Sequence, residues 1–361
     1  MTDTGLPPLN TPDIWEQLAD ADNPICIYGT GNGADKIINE LDRRGIPISG
    51  VFASDGFVRE RDFRGHRVVS YGDMCRRYER FTALLAFGTS RPDVIENINR
   101  IAAEQTLLCP DVPAFGSTVF DSRYYRDHYA GFGKLSERLA DEKSRQVLSL
   151  ILKYKLTGEL APLYSSASVG DPGDGILDYG RYKTYVDLGA YTGDTVRITS
   201  ERMTHLRRVY ALEPEPRAYR KLTEYAAAVG TPEILTYNAA AWSCETTLDF
   251  TAGSGRGSSA SARTHKGAHT KITPALSVDG IVTDHIDYIK FDVEGAEAEA
   301  LRGASVTIHR DRPDLLISVY HRTEDLLELP DQVLDLCPDY KLYLRREQGL
   351  PAWGINLYAV I

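Results

Sequence analysis

Cysteine is scarce and scattered. The five residues Cys26, Cys75, Cys109, Cys244 and Cys337 are odd in number and include no C-x-x-C pair. That pattern excludes a zinc knuckle and a disulfide framework and points to reduced thiols in the cytoplasm. No apolar run approaches the length of a membrane-spanning helix, so no membrane insertion is expected. The opening M-T-D-T-G-L-P-P-L-N has no basic start and no apolar stretch, and does not read as a signal peptide. Basic charge is also short. Lys and Arg number 41 against 51 Asp and Glu, a net charge of −10. Such a chain would approach phosphates against its own field, which argues against nucleic acid and anionic membranes as partners.

What is present suits a globular protein: 42% hydrophobic and 25% charged residues. A length of 361 residues suits two domains. Two starts of an α/β pattern agree with this. P-I-C-I-Y-G-T-G-N-G-A (24–34) and T-Y-V-D-L-G-A-Y-T-G-D-T (184–195) each read as a short apolar strand, a Gly-rich turn and a helix. Between them, residues 134–156 contain no Gly or Pro and carry Leu135, Leu139, Val147, Leu148, Ile151 and Leu152 at mostly helical spacing. One long linking helix is expected there. The boundaries are drawn at 1–122, 123–165 and 166–361. Residues 165–175 read as a loop, and the Gly/Ser-rich stretch 251–271, with His265 and His269, as a long loop inside the second unit.

In the second unit the strand ends at Asp187 and Gly189, and the helix is expected to begin near Asp194. Gly189 permits close approach of a ligand, and Gly193 turns the chain into the helix. The next strand, R-V-Y-A-L-E-P, ends in Glu213, 24 residues past Gly189. An acid at that tip is placed to accept both ribose hydroxyls of a nucleoside. The plainer reading is a turn in which Asp187 caps and Glu213 is solvated. The spacing G-x-x-x-G differs from the dinucleotide fingerprint. Acids at 187 and 194 would oppose a pyrophosphate and suit a ligand with an amine and a sulfonium, such as S-adenosylmethionine.

V-D-L-G-A-Y-T-G-D-T, A-L-E-P-E-P, Y-I-K-F-D-V-E-G-A-E-A-E-A-L-R-G-A and S-V-Y-H-R follow one another in this order. Together they resemble the FkbM family of S-adenosylmethionine-dependent methyltransferases over roughly residues 180 to 361. The resemblance implies a class I methyltransferase fold, a seven-stranded Rossmann-like sheet whose last strand, here I-N-L-Y-A-V-I, is antiparallel. It also implies O-methylation of a sugar, nucleotide-sugar or glycosylated natural product in carbohydrate biosynthesis. By position it implies that Asp187, Gly189, Ala190, Gly193 and Asp194 hold the methionine part of the cofactor, Glu213 the ribose, and Asn238 and Ala239 the adenine side. Asp279, the acid before the fourth strand, is expected to be structural.

H-I-D-Y-I-K-F-D and L-L-I-S-V-Y-H read as strands whose tips carry Asp292 and His321, with Glu294 at the turn between strand and helix. In a class I sheet these strands are neighbours, so the three converge where open α/β sheets bind ligands. A histidine can deprotonate a hydroxyl, and a divalent metal on Asp292 and His321 can lower its pKa. The plainer reading makes the acids helix caps and His321 a strand end. Lys290 alternates onto the face of Asp292, and an ion pair is expected.

The first glycine turn, with Gly29, Gly31, Gly33 and Ala34, satisfies a loose dinucleotide fingerprint, and Asp55 could serve as its ribose acid. With V-F-A-S-D-G, F-R-G-H-R-V-V-S and A-L-L-A-F-G-T-S, it resembles the amino-terminal Rossmann-like domain of nucleotide-sugar acyltransferases. A smaller Rossmann-like α/β domain ahead of the methyltransferase is therefore expected. Two alternatives stay open: an NAD-dependent oxidoreductase, or a nucleotide-sugar-binding module that acts through this turn. A module that binds nothing and only packs or forms an oligomer is equally compatible.

Overall fold

The computed structural model describes residues 5–58, 62–251, 259–261 and 270–361. Apolar runs punctuated by Gly and Pro form the strands of two sheets. The first holds β1 (Ile25–Tyr28), β2 (Gly50–Ala53), β3 (Asp62–Phe63), β4 (His66–Ser70), β5 (Thr82–Leu85) and β6 (Thr106–Leu108). Their order is β3-β4-β2-β1-β5-β6, parallel except for β3. Alternation along β1 sends Ile25 and Ile27 to one core and Cys26 and Tyr28 to another. Helix Asn32–Arg43 follows the first glycine turn.

The second sheet begins with β7 (Thr184–Leu188), β8 (Arg208–Leu212) and β9 (Glu233–Tyr237). A four-stranded sheet is inserted next: β10 (Ala240–Ala241), β11 (Thr246–Thr251), β12 (Ser259–Ser261) and β13 (Thr270–Leu276). Then come β14 (Tyr288–Phe291), β15 (Asp314–Ser318), β16 (Lys341–Arg346) and β17 (Ile355–Val360). The seven-stranded order is β16-β17-β15-β14-β7-β8-β9. The C-terminal strand β17 is antiparallel to β15 and β16, as expected of a class I methyltransferase sheet. An amino-terminal α/β unit precedes it, also as expected.

Two expectations need correction. The stretch 251–271 is not simply a loop, because Ser259–Ser261 pairs with β11. Thr251 ends β11 and Thr270 opens β13, and residues 252–258 and 262–269, with His265 and His269, lie outside the described residues. The single helix over 134–156 is two helices, Ser122–Arg138 and Glu142–Thr157. The chain breaks at Leu139–Asp141, where Ala140 N–H donates to the Leu342 carbonyl at 2.8 Å. The Asp141 carboxylate then caps the second helix, accepting from Ser144 N–H at 2.8 Å.

These helices pack on the second sheet. Ser144 Oγ accepts from Leu344 N–H at 3.0 Å, and the Arg345 guanidinium donates to both Asp141 and Ser144. Leu148, Ile151 and Leu152 join a hydrophobic cluster that continues from Tyr28 and Phe52 of the first sheet to Ile289 and Phe291 of the second. One core therefore fixes both carboxyl edges.

Burial would raise the Asp141 carboxyl, but Arg345 and the Ser144 donors bring it down to about 2. Its contribution is therefore complete above about pH 4 and lost as pH falls toward 2. Asp141→Ala is expected to cost about 2–4 kcal/mol at neutral pH, from a lost cap and a buried Arg345 without its counterion. Urea denaturation at pH 7 measures this. An unchanged midpoint would mean that packing alone holds the two helices.

Candidate active site

The turn after β7 lies against the turn after β14. Gly189 has φ of +84°, and a Cβ there would fall 1.9 Å from the Asp292 carbonyl oxygen, so only glycine fits. Its N–H and that of Ala190 donate to the Leu212 carbonyl at 3.1 and 2.9 Å, which ties the turn to β8. Glu213, just past β8, is buried. Its Oε2 accepts from Tyr191 N–H at 2.9 Å and its Oε1 from Glu215 N–H at 2.8 Å. Burial pushes this carboxyl up to about 7, against those two donors. The Asn238 amide donates to the Glu213 and Pro214 carbonyls and anchors the end of β9 beside them. Ala190 and Ala239 are buried. Helix Asp194–Ser200 starts one residue earlier than an Asp194 cap would give: Gly193 is the capping residue, at φ of +82°. Asp194 Oδ1 is buried without a hydrogen-bond partner.

Asp187 is fully buried. Parallel pairing of β7 with β14 sets it directly opposite Lys290. The Lys290 ammonium lies 3.2 Å from Asp187 Oδ1 and 3.5 Å from Asp292 Oδ2. The expected Lys290–Asp292 pair is present, and Asp187 is its second partner. Burial alone would lower the lysine, but the two carboxylates hold it above its ordinary value. Burial raises the Asp187 carboxyl in spite of Lys290. Asp187 Oδ2 has no hydrogen-bond partner, since the nearby Tyr185 hydroxyl does not meet it in bonding geometry. Asp292 is half-buried and also accepts from Ser318 Oγ at 3.1 Å. Lys290 and His321 hold its carboxyl below the ordinary range although burial opposes them.

His321 lies three residues past β15, 1% exposed. Its Nδ1 is 2.8 Å from Glu297 Oε1. Its Nε2 is 3.6 Å from both Asp292 Oδ1 and Glu294 Oε2 and has no hydrogen-bond partner. The three expected residues therefore do converge. Burial would lower the imidazole, yet Glu297, Asp292 and Glu294 raise it to about 9. Glu294 has φ of +55°, a left-handed conformation that costs about 1–3 kcal/mol for a residue with a Cβ. The amino-terminal half reaches this point too. Phe115 N–H donates to the His321 carbonyl at 2.9 Å, and the two rings lie 5.9 Å apart. Glu297, which sequence reasoning passed over, is the residue that fixes the ring.

A divalent metal on Asp292 and His321, the candidate alternative to a histidine base, does not fit this arrangement. A lysine ammonium already stands 3.5 Å from Asp292 Oδ2, and the surrounding carboxylates favour a protonated imidazole, which cannot ligate a metal. Among the described residues no group of three or more His, Cys, Asp or Glu is arranged to hold a metal ion. Asp279 is structural, as expected: it accepts from the Val306 and Thr307 N–H groups and caps helix Ser305–Asp311. In the first sheet Asp55 is exposed in a short turn after β2.

None of the curated proteins compared with the chain matches it. Among solved structures, the methyltransferase FkbM from Methylobacillus flagellatus KT is similar, with a TM-score of 0.70 at 20% identity. That likeness covers 99% of this chain and 95% of that one, so the fold is shared across both sheets. Fibrillarin from Aeropyrum pernix, solved with natively bound S-adenosyl-L-methionine, matches at a TM-score of 0.33 and 17% identity over 52% of this chain and 71% of that chain. The family model described as Methyltransferase FkbM domain matches residues 187–345. The segment from Asp187 to Arg345 thus matches the FkbM methyltransferase domain that its motifs resemble.

Proposed function

We propose that the protein transfers a methyl group from S-adenosylmethionine to a hydroxyl of a sugar, nucleotide-sugar or glycosylated product, with residues 166–361 as the transferring domain. The observation that carries this reading is the buried, unpartnered Nε2 of His321, at the same sheet edge as the Gly189 turn and Glu213. Sugar hydroxyls are weak nucleophiles, and the site offers them a proton acceptor rather than a metal.

The residues of the first edge fit the cofactor. Gly189 leaves room against the Asp292 carbonyl, and Asp187 and Asp194 each carry a buried oxygen with unused acceptor capacity. S-adenosylmethionine supplies, when bound, a methyl made electrophilic by its sulfonium. Asp187, Gly189, Ala190, Gly193 and Asp194 receive its methionine part. Glu213, aimed by two backbone donors, accepts from the ribose hydroxyls. Asn238 and Ala239 border the adenine. His321 takes the hydroxyl proton at Nε2, and Asp292 and Glu294 stabilise the imidazolium that forms. Five free cysteines and the absence, among the described residues, of a helix able to cross a membrane support a cytoplasmic setting.

Labelled S-adenosylmethionine incubated with a panel of free sugars and nucleotide-sugars tests the assignment. Label is expected on one class of hydroxyl, unaffected by chelators. Label on nitrogen or carbon acceptors only would overturn it.

Cofactor affinity reads out Glu213 separately. A carboxylate accepts two hydroxyl donors, and a carboxylic acid does so less well. With the Glu213 carboxyl at about 7, calorimetric affinity for S-adenosylmethionine is expected to weaken as pH falls from 8 to 6. Glu213→Gln should remove that slope and weaken binding throughout. Affinity that stays flat in the unaltered protein would contradict the ribose role.

A further inference from the structure

The proposed transfer leaves one buried group unused. Glu297 is 1% exposed and opens helix Glu297–Arg302, yet it does not face solvent as a first-turn acid ordinarily would. Its side chain reaches back over the turn that precedes it. Oε1 accepts from Val293 N–H at 2.9 Å and lies 2.8 Å from His321 Nδ1, and Oε2 accepts from Gly295 N–H at 3.1 Å. Three donors converge on one desolvated carboxylate, and charge-assisted bonds of this kind are the stronger class.

We propose that Glu297 is the positioning residue of this site: it fixes the His321 ring and its tautomer, and it holds the turn that carries Asp292 and Glu294. The inference rests on the hydroxyl-transfer reading for its catalytic meaning, while its structural content stands on the contacts alone.

The tautomer follows from the acceptor. Glu297 has no proton to give as a carboxylate, so the neutral ring must carry its hydrogen on Nδ1. The lone pair then sits on Nε2, the nitrogen with no hydrogen-bond partner. Without Glu297 the ring could turn over or move its proton to Nε2, and the base would face the cleft with the wrong atom. The same carboxylate explains how Glu294 is kept at its positive φ, since the N–H groups on both sides of it, those of Val293 and Gly295, are bound to one side chain. The other charged groups around the ring are Asp292 and Glu294 on that turn, with Arg322 and Asp325 beyond β15. Asp325 accepts from Arg322 N–H at 2.8 Å, and among the described contacts of Nδ1 only Glu297 is at hydrogen-bond distance.

Long-range proton–nitrogen spectra of the full chain labelled at histidine test this directly. They are taken at alkaline pH, where the ring is neutral, with no acceptor present. The hydrogen of His321 is expected on Nδ1, and finding it on Nε2 overturns the proposal without any variant. Glu297→Gln then separates positioning from packing. One amide oxygen cannot serve three donors, so its spectrum is expected to show the Nε2–H form or a mixture. Calorimetry should show S-adenosylmethionine binding within about twofold of the unaltered chain. With a sugar methylated in the panel above, kcat should fall about 10²–10⁴-fold with little change in cofactor KM. A Gln variant that keeps both tautomer and kcat refutes the role. A correct tautomer with no sugar methylated in any assay refutes the hydroxyl-transfer reading and leaves the geometric claim intact.

Discussion

The buried ammonium of Lys290 is the constraint on which the edge of the second sheet depends. It stands between Asp187 on β7 and Asp292 just past β14. Two carboxylates this close on neighbouring strand ends could not both ionise in a dry environment without a cation between them. Lys290 supplies it from within the sheet. Asp292 thereby stays charged beside His321, and Asp187 stays at the base of the glycine turn. Removing one member of such a buried set leaves an uncompensated charge, which typically costs about 3–5 kcal/mol.

The remaining contacts build outward from that centre. The close approach of Gly189 to the Asp292 carbonyl locks one turn to the next. Glu297 binds the following turn to His321. The amino-terminal half closes one side. Lys36 donates to the Pro113 and Ala114 carbonyls at 2.7 and 2.6 Å, and the next residue, Phe115, is bonded to the His321 backbone. On the far side Thr89 pairs with Leu350 in the loop between β16 and β17. The first sheet therefore contributes to the walls of the second sheet's edge. Its own glycine turn contributes through Lys36, on the helix that the turn opens.

Much of this was legible in the residues, and the failures have physical causes. Strands β7, β8 and β14 stand out because each is a short apolar run ended by Gly, Pro or an acid, and β15 because its apolar run leads to His321. Asp187, Gly189 and Glu213 are recognisable because a glycine turn and a distant acid keep a fixed spacing. The break at Asp141 is harder, since no Gly or Pro marks it. The available signal was an Asp three residues before Ser144, a capping arrangement inside an otherwise helical run. The pairing of Lys290 with Asp187 needs the strand order as well as the alternation, and only the alternation is local. Glu297 looked like one more acid of an E-A-E-A helix face. Its burial is decided by His321, 24 residues further on, and nothing near Glu297 announces it.

In the proposed transfer His321 accepts the proton of the methylated hydroxyl. Turnover of a His321→Ala variant across pH, against the unaltered chain, tests it most directly. With the imidazole at about 9, only roughly one ring in a hundred is a free base at pH 7. Unaltered turnover should therefore rise about tenfold per pH unit and level off near 9. His321→Ala should lose about 10²–10⁴-fold in turnover together with that rise, while S-adenosylmethionine affinity is retained. A variant that keeps full turnover and the same pH dependence would contradict the claim and leave His321 as a buried strand end.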